Sequence, residues 1–468
     1  MQNKKIKVLM TAAEMSPFAK VGGLGDVVGS LPGALEKINI DVRVILPLYG
    51  AIDHKKFRLK KILENIEIAS NSQTEKINLW KTNSPSGKVS VYFLESKYFQ
   101  AKEIYRPEEN DNLAESFLFF SLAVLKILPL IRFQPDIIHC HDFHTALIPA
   151  LLKEQKLDIK TVYTIHNLNY QGNNTPLVLR VANLNIDDLA SLKKDAQDGD
   201  INFMVQGILN ADVVTTVSKT YAKEIGTVEF GVGLEKIITQ KKIYGIINGL
   251  NVELFNPATD KFIAQTYSNK NLGDKQKNKT VLQKKLGLKV DKDVPLIGMV
   301  TRLTWQKGFD LFNDNLFQLP LQMIILGTGE VKYENKLNEL AKKYPDNFKF
   351  ENHFDLKLAQ QIYAGSDMFL MPSRFEPCGL GQMIAMSYGT IPIVRATGGL
   401  DDTVNDRVGF KFKEFSEKVL IRTLEEAIKK FADKKQWQRL QKNCMQQDFS
   451  WGRSAKEYVK IYKELIIK

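Results

Sequence analysis

The chain has 468 residues, of which 44% are hydrophobic and 25% are charged, a balance typical of a folded globular protein with two or three domains. No apolar run approaches the roughly 20 residues of a membrane span, and Glu14 and Pro17 interrupt the N-terminal apolar segment, which predicts a first strand and not a signal peptide. The net charge of +12 is scattered along the chain, which argues against nucleic-acid binding. The three cysteines form no disulfide framework, so we expect a cytoplasmic protein. Because no long apolar run is present, we expect no membrane attachment.

Short apolar runs alternate with amphipathic helical patterns along the whole chain. Before residue 250, strands are predicted at 5–13, 42–49, 89–96, 135–142, 160–167, 213–218 and 242–248. A second series lies at 295–302, 322–329, 349–354, 367–373 and 390–396. This alternation predicts parallel sheets with crossover helices, in two doubly wound α/β domains. The boundaries are placed at 1–246 for the first domain, 247–446 for the second and 447–468 for a terminal amphipathic helix.

A glycine-rich segment, KVGGLGDVVGSLP at 20–32, follows the first predicted strand. Glycine at this density marks a sharp turn or a backbone that a ligand approaches closely. The spacing of Gly23, Gly25 and Gly29 is one residue too long for the dinucleotide fingerprint, and no phosphate-loop signature occurs. We expect a helix to begin near Gly25 or Asp26, and an ordinary tight turn remains the alternative to a ligand-binding loop.

Two segments of the second half carry charged residues beside predicted turns. Arg302 and Lys307 flank a turn that is expected to lead into a helix, where two cations could hold a diphosphate. An ordinary solvated loop is the alternative. Glu376 precedes a predicted helix within MPSRFEPCGLGQ, where it could be a partner of the helix dipole, and a further glycine turn follows at 397–400.

Three histidines lie within HCHDFH at 139–144, at the end of a predicted strand. A zinc site normally needs four donors and a second cluster of matching spacing, and the sequence has none, so no metal is expected. Another predicted strand ends at His166. A single histidine there is more often structural, but in a sugar site it could act through its ring or its backbone carbonyl.

These segments together resemble the bacterial glycogen synthases and plant starch synthases. The resemblance rests on motifs that occur in the family's order along nearly the whole chain, among them KVGGLGDVVGSLP, HCHDFHTAL, TIHNLNYQG, EFGVGLE, RLTWQKGFDL and SRFEPCGLGQMIAMSYGTIPIVRATGGLDDTV. It implies the GT-B fold, in which two Rossmann-like domains face each other across a deep cleft and the C-terminal helix crosses back to the first domain. It further implies transfer of glucose from ADP-glucose to the non-reducing end of an α-1,4-glucan such as glycogen, with retention and without a cofactor or metal.

The resemblance also implies roles for individual residues. The implied catalytic set is Asp142, His166, Arg302, Lys307 and Glu376. Lys20 and the amides of Gly22 and Gly23 would reach the donor diphosphate, Asp26 would fix the same loop or contact the sugar, and Phe354 would stack on adenine. The expected substrate-binding set is completed by Asn248, Cys378, Gly379, Leu380, Thr397, Gly398 and Gly399. The thiol of Cys378 itself is expected to be a packed spectator.

The chain departs from the family pattern at several positions. Phe143 stands where the family has tryptophan, and Val205 stands where lysine is common. The resemblance places Val205 and the 173–200 segment nearer the acceptor side. The position eight residues after Glu376 is Ile384 and not a second carboxylate, which favours a same-face internal return over a covalent intermediate. Two alternatives remain from the sequence: a related transferase with another nucleotide sugar, such as UDP-glucose, or another acceptor, and a non-catalytic glucan-binding protein.

Overall fold

The structure is a computed structural model that describes residues 5–71, 73–85, 87–105 and 112–467. The chain divides into two compact units. Unit 1 comprises Met1–Val217, Ala222–Gly249 and Trp451–Lys468, and unit 2 comprises Ser218–Tyr221 and Leu250–Ser450. The structure therefore places the divisions after Gly249 and Ser450, whereas the sequence placed them after 246 and 446.

Unit 1 is built on a mostly parallel sheet. Its strands are β1 (Lys7–Thr11), β2 (Asp41–Pro47), β3 (Lys60–Ser70), β4 (Gln73–Asn83), β5 (Ser90–Glu95), β6 (Ile137–His141), β7 (Lys160–Ile165), β8 (Asn173–Asn174), β9 (Ile201–Asn202), β10 (Val213–Thr216) and β11 (Ile243–Gly245). Within the described residues, nine of them form one sheet in the order β11-β10-β7-β6-β1-β2-β5-β4-β3, and β8 pairs with β9. The core strands read as continuous apolar runs because helices cover both faces of a parallel sheet.

The hairpin of β3 and β4 was not predicted. These two strands pair antiparallel with each other, and β4 pairs antiparallel with β5, so the sheet is not wholly parallel. Most residues of β3 are exposed or half-buried, so the strand lacks the buried apolar run that identified the others. Sheet-edge strands need no second buried face, and their sequence signal is correspondingly weak.

The helices of this part of the chain are α1 (Gly23–Glu36), α2 (Asn112–Ile127), α3 (Ile148–Glu154), α4 (Ala190–Asp195), α5 (Phe203–Asn210), α6 (Lys219–Glu224) and α7 (Glu235–Ile238). The short segment Ser218–Tyr221 belongs to unit 2, where the Asp402 carboxylate accepts hydrogen bonds from the amides of Lys219 at 2.6 Å and Thr220 at 3.1 Å. A side-chain acceptor at this position satisfies the free amides of the first helical turn of α6.

Unit 2 contains a wholly parallel sheet of β12 (Leu296–Val300), β13 (Gln322–Leu326), β14 (Phe348–Glu351), β15 (Met368–Met371), β16 (Ile391–Arg395) and β17 (Phe410–Phe412). Its order is β14-β13-β12-β15-β16-β17. The helices are α8 (Lys275–Lys285), α9 (Asp314–Phe317), α10 (Val331–Lys343), α11 (Leu356–Gly365), α12 (Gly381–Ser387), α13 (Gly398–Thr403), α14 (Glu417–Ala432) and α15 (Lys434–Met445). The three-residue strand β17 was not predicted, because it is too short to show a period.

The last helix, α16 (Trp451–Ile467), belongs to unit 1. It packs against α1, and the Ser454 hydroxyl donates a 2.6 Å hydrogen bond to the carbonyl oxygen of Ile247. The Tyr462 hydroxyl lies 2.7 Å from Nδ1 of His139 in the sheet. Side-chain hydrogen bonds therefore join the C-terminal helix to the rest of unit 1. Across the described part of the chain, no helix combines the length and apolar character needed to cross a bilayer.

Candidate active site

The glycine loop after β1 is held in place by a carboxylate that the sequence analysis did not assign to the site. Glu14 is buried, and its Oε2 accepts hydrogen bonds from the amides of Val21 at 2.7 Å and Gly22 at 2.8 Å. Its Oε1 accepts a hydrogen bond from the Tyr105 hydroxyl at 2.6 Å. The predicted role of the Gly22 amide therefore needs correction, since that amide is already bonded to Glu14 within the protein.

The glycines of this loop fall into two groups. A Cβ on Gly25 would lie 3.0 Å from Cγ of Lys20, and a Cβ on Gly29 would lie 2.7 Å from the carbonyl oxygen of Ser16. Internal packing therefore explains these two glycines. A Cβ on Gly22 would meet its nearest atom at 3.9 Å, and one on Gly23 would meet nothing within 4 Å. Packing within the fold therefore does not require glycine at these two positions, and their predicted place beside the donor stays a prediction.

The helix that follows the loop begins earlier than predicted. α1 starts at Gly23, with Gly22 in extended conformation before it, and not near Gly25 or Asp26. The Lys20 ammonium lies 2.6 Å from Oδ1 of Asp26, and both side chains are exposed. Asp26 therefore orients Lys20 near the N-terminus of α1, where an anion would be stabilised.

Asp142 and His166 meet at the carboxyl ends of β6 and β7. The Asp142 carboxylate accepts the backbone N–H of His166 at 2.7 Å, and the residue is held at φ 54°. A non-glycine residue in the left-handed region marks local strain of the kind that concentrates at functional sites. Within the described chain, no group donates a hydrogen bond to the carbonyl oxygen of His166. The role of this oxygen in a sugar site stays a prediction.

Burial controls the ionisation of this cluster. It raises the pKa of Asp142 to about 7, although the backbone hydrogen bonds from His166 and Asn167 oppose the rise. Burial also lowers the pKa of His166 to about 3, so its imidazole is neutral at physiological pH. Nε2 of His166 lies 3.0 Å from Nδ1 of His141, which positions one neutral ring against another.

The remaining histidines of HCHDFH are structural. His139 bridges the Tyr462 hydroxyl and the Thr164 hydroxyl, the latter at 2.6 Å. His144 packs against Phe143, with ring centroids 3.9 Å apart. Burial lowers the pKa of both imidazoles to about 3. Across residues 5–71, 73–85, 87–105 and 112–467, no group of three or more histidine, cysteine, aspartate or glutamate side chains could hold a metal ion.

In unit 2, Lys307 and Glu376 form one ion pair. Nζ of Lys307 lies 2.6 Å from Oε2 of Glu376, and the two side chains are only 14% and 8% exposed. The Ser373 hydroxyl donates to the same oxygen at 3.0 Å. Lys307 was predicted to hold a diphosphate and Glu376 to belong to the catalytic set, and the structure brings these two groups into direct contact. A buried pair of this kind holds both side chains in fixed geometry.

Arg302 lies close to this pair in sequence but has a different environment. It is exposed, and within the described residues no carboxylate pairs with its guanidinium. The turn after Arg302 was predicted to lead into a helix. The chain instead forms short 3-10 turns at Trp305–Lys307 and Phe309–Leu311. The helix dipole therefore does not explain the two cations. The turn requires glycine at position 308, because the residue has φ 80° and an added Cβ would lie 2.1 Å from the carbonyl oxygen of Pro372.

The 376–399 region is built by backbone segments in van der Waals contact. A Cβ on Gly398 would lie 2.0 Å from the carbonyl oxygen of Glu376, and one on Gly399 would lie 2.1 Å from that of Cys378. The Gly399 amide donates to the carbonyl of Glu376 at 3.0 Å. These two glycines therefore serve primarily to position Glu376, because larger residues would separate the two segments.

The other predicted residues lie in distinct environments. Gly379 is held at φ 72°, and no acceptor among the described residues takes its amide or that of Leu380, just before α12. Cys378 and Thr397 are buried. Phe354 is 79% exposed, so its ring is free to stack on a ligand. Asn248, in unit 1, is buried, and its side-chain oxygen has no hydrogen-bond partner in the described part of the chain.

Each unit thus gathers its candidate residues at the carboxyl edge of a parallel sheet, where open α/β sheets bind their ligands. Residues 7–240 match the family described as starch synthase catalytic domain, and residues 281–444 match glycosyl transferases group 1. Together with the two Rossmann-like units, these matches define a glycosyltransferase of the GT-B fold, as predicted.

Similarity to individual proteins extends over nearly the whole chain. A glycogen synthase of Pseudothermotoga lettingae is 43% identical, with 99% of both chains covered, and one of Streptococcus mutans is 44% identical, with 98% of this chain and all of that protein covered. The solved catalytic domain of starch synthase IV from Arabidopsis thaliana matches with a TM-score of 0.91 and 34% identity, covering 99% of this chain and 100% of that one. The chain belongs to the glycogen and starch synthase family, which confirms the predicted resemblance.

Proposed function

We propose that the chain transfers glucose from ADP-glucose to the non-reducing 4-hydroxyl of an α-1,4-glucan, with retention at the anomeric carbon and release of ADP. The observation that carries this proposal is the Lys307–Glu376 pair. The Arabidopsis relative was solved bound to ADP and acarbose, which supports an adenine nucleotide and an oligosaccharide-like ligand for this chain as well.

Unit 2 would stabilise the leaving group. When the bond from the anomeric carbon to the diphosphate breaks, negative charge grows on the ADP oxygen. The exposed guanidinium of Arg302 and the ammonium of Lys307 are positive groups that can take this charge, and in many enzymes fixed charges of this kind account for most of the rate acceleration. Glu376 would hold Lys307 in place and accept a sugar hydroxyl, while the free amides of Gly379 and Leu380 would donate to phosphate or sugar oxygens.

Unit 1 would support the sugar as positive charge develops on it. The carbonyl oxygen of His166 is a fixed partial negative charge, and Asp142 holds the His166 backbone in position. Lys20 and the first amides of α1 would hold the diphosphate from the glycine loop. The unobstructed faces of Gly22 and Gly23 would admit that ligand.

The reaction balances without a covalent enzyme intermediate. The bond between the anomeric carbon and the ADP oxygen breaks, and the acceptor O4 forms its bond to that carbon on the same face of the ring. The proton of the acceptor hydroxyl passes to an oxygen of the departing phosphate. Glu376 contacts Lys307 and Ser373, and the position eight residues further on is Ile384 and not a second carboxylate, which supports a route without a covalent intermediate.

The test is incorporation of labelled glucose into glycogen from ADP-glucose and, in parallel, from UDP-glucose. We expect incorporation from ADP-glucose, with strong loss in the Glu376→Gln variant. Preference for UDP-glucose would keep the reaction and overturn the donor. Binding of glycogen without incorporation from either donor would refute catalysis and favour a glucan-binding protein. We also propose a cytoplasmic location, which suits three cysteines that are all free and buried.

A further inference from the structure

Unit 1 contains a pocket of about 350 Å³ that none of the roles above uses. This volume falls in the range of roughly 300–1,000 Å³ that is typical of ligand sites. We call it the lateral pocket. It is bounded by the segment that follows β7, by the segment between α4 and α5, and by the start of α7.

A continuous set of hydrogen bonds fixes the wall of the lateral pocket. The side-chain amide of Asn202 donates to Oε1 of Gln171 at 2.6 Å, and the amide of Gln171 donates to the carbonyl oxygen of Val232 at 3.0 Å. Asp195 accepts the backbone N–H of Asn202 at 3.0 Å and the side-chain amide of Gln206 at 2.7 Å. All of these bonds join residues of unit 1, so contacts within one unit fix the wall of the pocket.

The rim of the lateral pocket also carries backbone strain. Val232 has φ 48°, a conformation that a β-branched residue adopts at a cost, and the residue is 48% exposed. The hydrogen bond from Gln171 to its carbonyl holds it there. Strain of this kind persists where the surrounding structure enforces it, and it is concentrated at ligand sites.

The lining combines hydrogen-bonding groups of both kinds with an apolar wall. Asp200 accepts the side-chain amide of Asn173 at 3.1 Å, and Asp198 accepts the backbone N–H of Asp200 at 3.3 Å. Each carboxylate has further lone pairs that can accept a hydrogen bond, and Lys194 can donate one. Oδ1 of Asp195 has no hydrogen-bond partner in the described chain. This pattern fits a ligand whose hydroxyls both donate and accept.

A cation is a poorer match to the same lining. Among the described residues, no three histidine, cysteine, aspartate or glutamate side chains come together here in a way that could hold a metal ion. The apolar wall, which includes Val205, Leu209 and Ile237, can cover the C–H face of a pyranose ring. A neutral sugar can contact both the hydrogen-bonding groups and the apolar wall, whereas a metal ion would find too few ligands and would not contact the apolar wall.

The lateral pocket adjoins the Asp142–His166 cluster through one close contact. A Cβ on Gly172 would lie 2.5 Å from Cδ2 of Phe143, so the backbone after Gln171 packs directly on the ring that follows Asp142. The same stretch of chain that begins at His166 therefore reaches the pocket within a few residues. A ligand in the lateral pocket would be next to the part of unit 1 assigned above to the sugar.

We propose that the lateral pocket binds a glucosyl residue of the α-1,4-glucan acceptor, with its hydroxyls on Asp198 and Asp200 and its ring face on the apolar wall. The proposal rests on the proposed function, since it takes the acceptor from there. It assigns acceptor affinity to the 194–202 and 232–237 segments, and it leaves nucleotide binding to other residues.

The test is titration of the full chain with maltohexaose, a linear α-1,4-glucan, in the absence of nucleotide sugar. We compare the double variant Asp198→Ala/Asp200→Ala with Val232→Trp, which fills the rim with a bulky ring. Asp187→Ala is the matched control, because it removes one carboxylate from the same segment outside the pocket. ADP affinity and thermal unfolding report on folding.

Both pocket variants are expected to raise the Kd for maltohexaose by about tenfold or more, the double variant because it loses hydrogen bonds to charged acceptors and Val232→Trp because its ring occupies the space of the ligand. The Asp187→Ala control should leave it unchanged, and ADP affinity should be unaltered in all three. Unchanged maltohexaose affinity in both pocket variants would overturn the pocket assignment, whether or not the chain incorporates glucose. Reduced maltohexaose affinity in a chain that incorporates no glucose would support the pocket and refute the proposed catalysis instead.

Discussion

Replacement of Lys307 by alanine tests the central element of the proposed mechanism. The ammonium lies 2.6 Å from Glu376, and the two side chains are nearly buried. Its loss has two separate consequences. The growing charge on the departing ADP loses a cation, and the Glu376 carboxylate loses its counterion.

The two consequences have different magnitudes and different readouts. Removal of one preorganised group that stabilises transition-state charge typically lowers turnover by about 10²–10³-fold, or about 2.7–4 kcal/mol. We therefore expect kcat to fall by at least ~100-fold. A buried carboxylate without its partner destabilises a fold by about 3–5 kcal/mol when burial is complete, and the slight exposure of this pair places the expected loss near the lower end.

The assay combines steady-state turnover of ADP-glucose on glycogen with thermal unfolding of the ligand-free protein. The double variant Lys307→Ala/Glu376→Gln separates the two effects. A neutral glutamine needs no counterion, so we expect the double variant to recover most of the lost stability. It should recover no turnover, because the leaving group still lacks its cation.

Two outcomes would refute this reasoning. Near-normal turnover in Lys307→Ala would remove the residue from the mechanism. Recovery of turnover in the double variant would show that Lys307 serves only to neutralise Glu376, and the stabilisation of the leaving group would then have to come from Arg302 or from Lys20.

Three further predictions concern unit 1. Gly23→Ala should fold normally, since its Cβ meets nothing, yet bind ADP-glucose about tenfold less tightly, whereas Gly25→Ala should lower the melting temperature because its Cβ meets Lys20 and Glu14. Asp142→Asn should be more stable than the parent chain above pH 7. The pKa of Asp142 is about 7 in the folded parent, against 3.8 for a free carboxyl, so between these values the folded chain binds a proton that the unfolded chain has lost. The parent therefore loses on the order of 2–4 kcal/mol of stability as pH rises from 4 to 7, and asparagine, which does not titrate, avoids this loss. This gain should be accompanied by lower kcat, and equal pH dependence of unfolding in both chains would contradict it. Glu14→Gln should raise the KM for ADP-glucose several-fold with a smaller effect on the KM for glycogen, because one amide group cannot replace the carboxylate that holds the glycine loop.

The parallel strands and the segments at their ends could be predicted from the sequence. Strands covered on both faces must be apolar throughout, and β1, β6 and β13 show this directly. Asp142 and His166 follow such strands in unit 1, and Glu376 follows one in unit 2, so the location of each at the carboxyl edge of its own sheet was predictable from topology. The polar β3–β4 hairpin escaped prediction because most of β3 is buried on neither face.

The sequence by itself therefore determined the fold class, the family and the segments that hold the candidate site, because apolar periodicity and glycine motifs are contained within short stretches of chain. Only the tertiary structure decided which groups touch. The bond of Glu14 to Gly22, the pairing of Lys307 with Glu376 and the contact of Gly172 with Phe143 join residues that the chain's local pattern does not relate. Such contacts arise from the packing of separate segments, and burial within that packing is also what moves the pKa of Asp142.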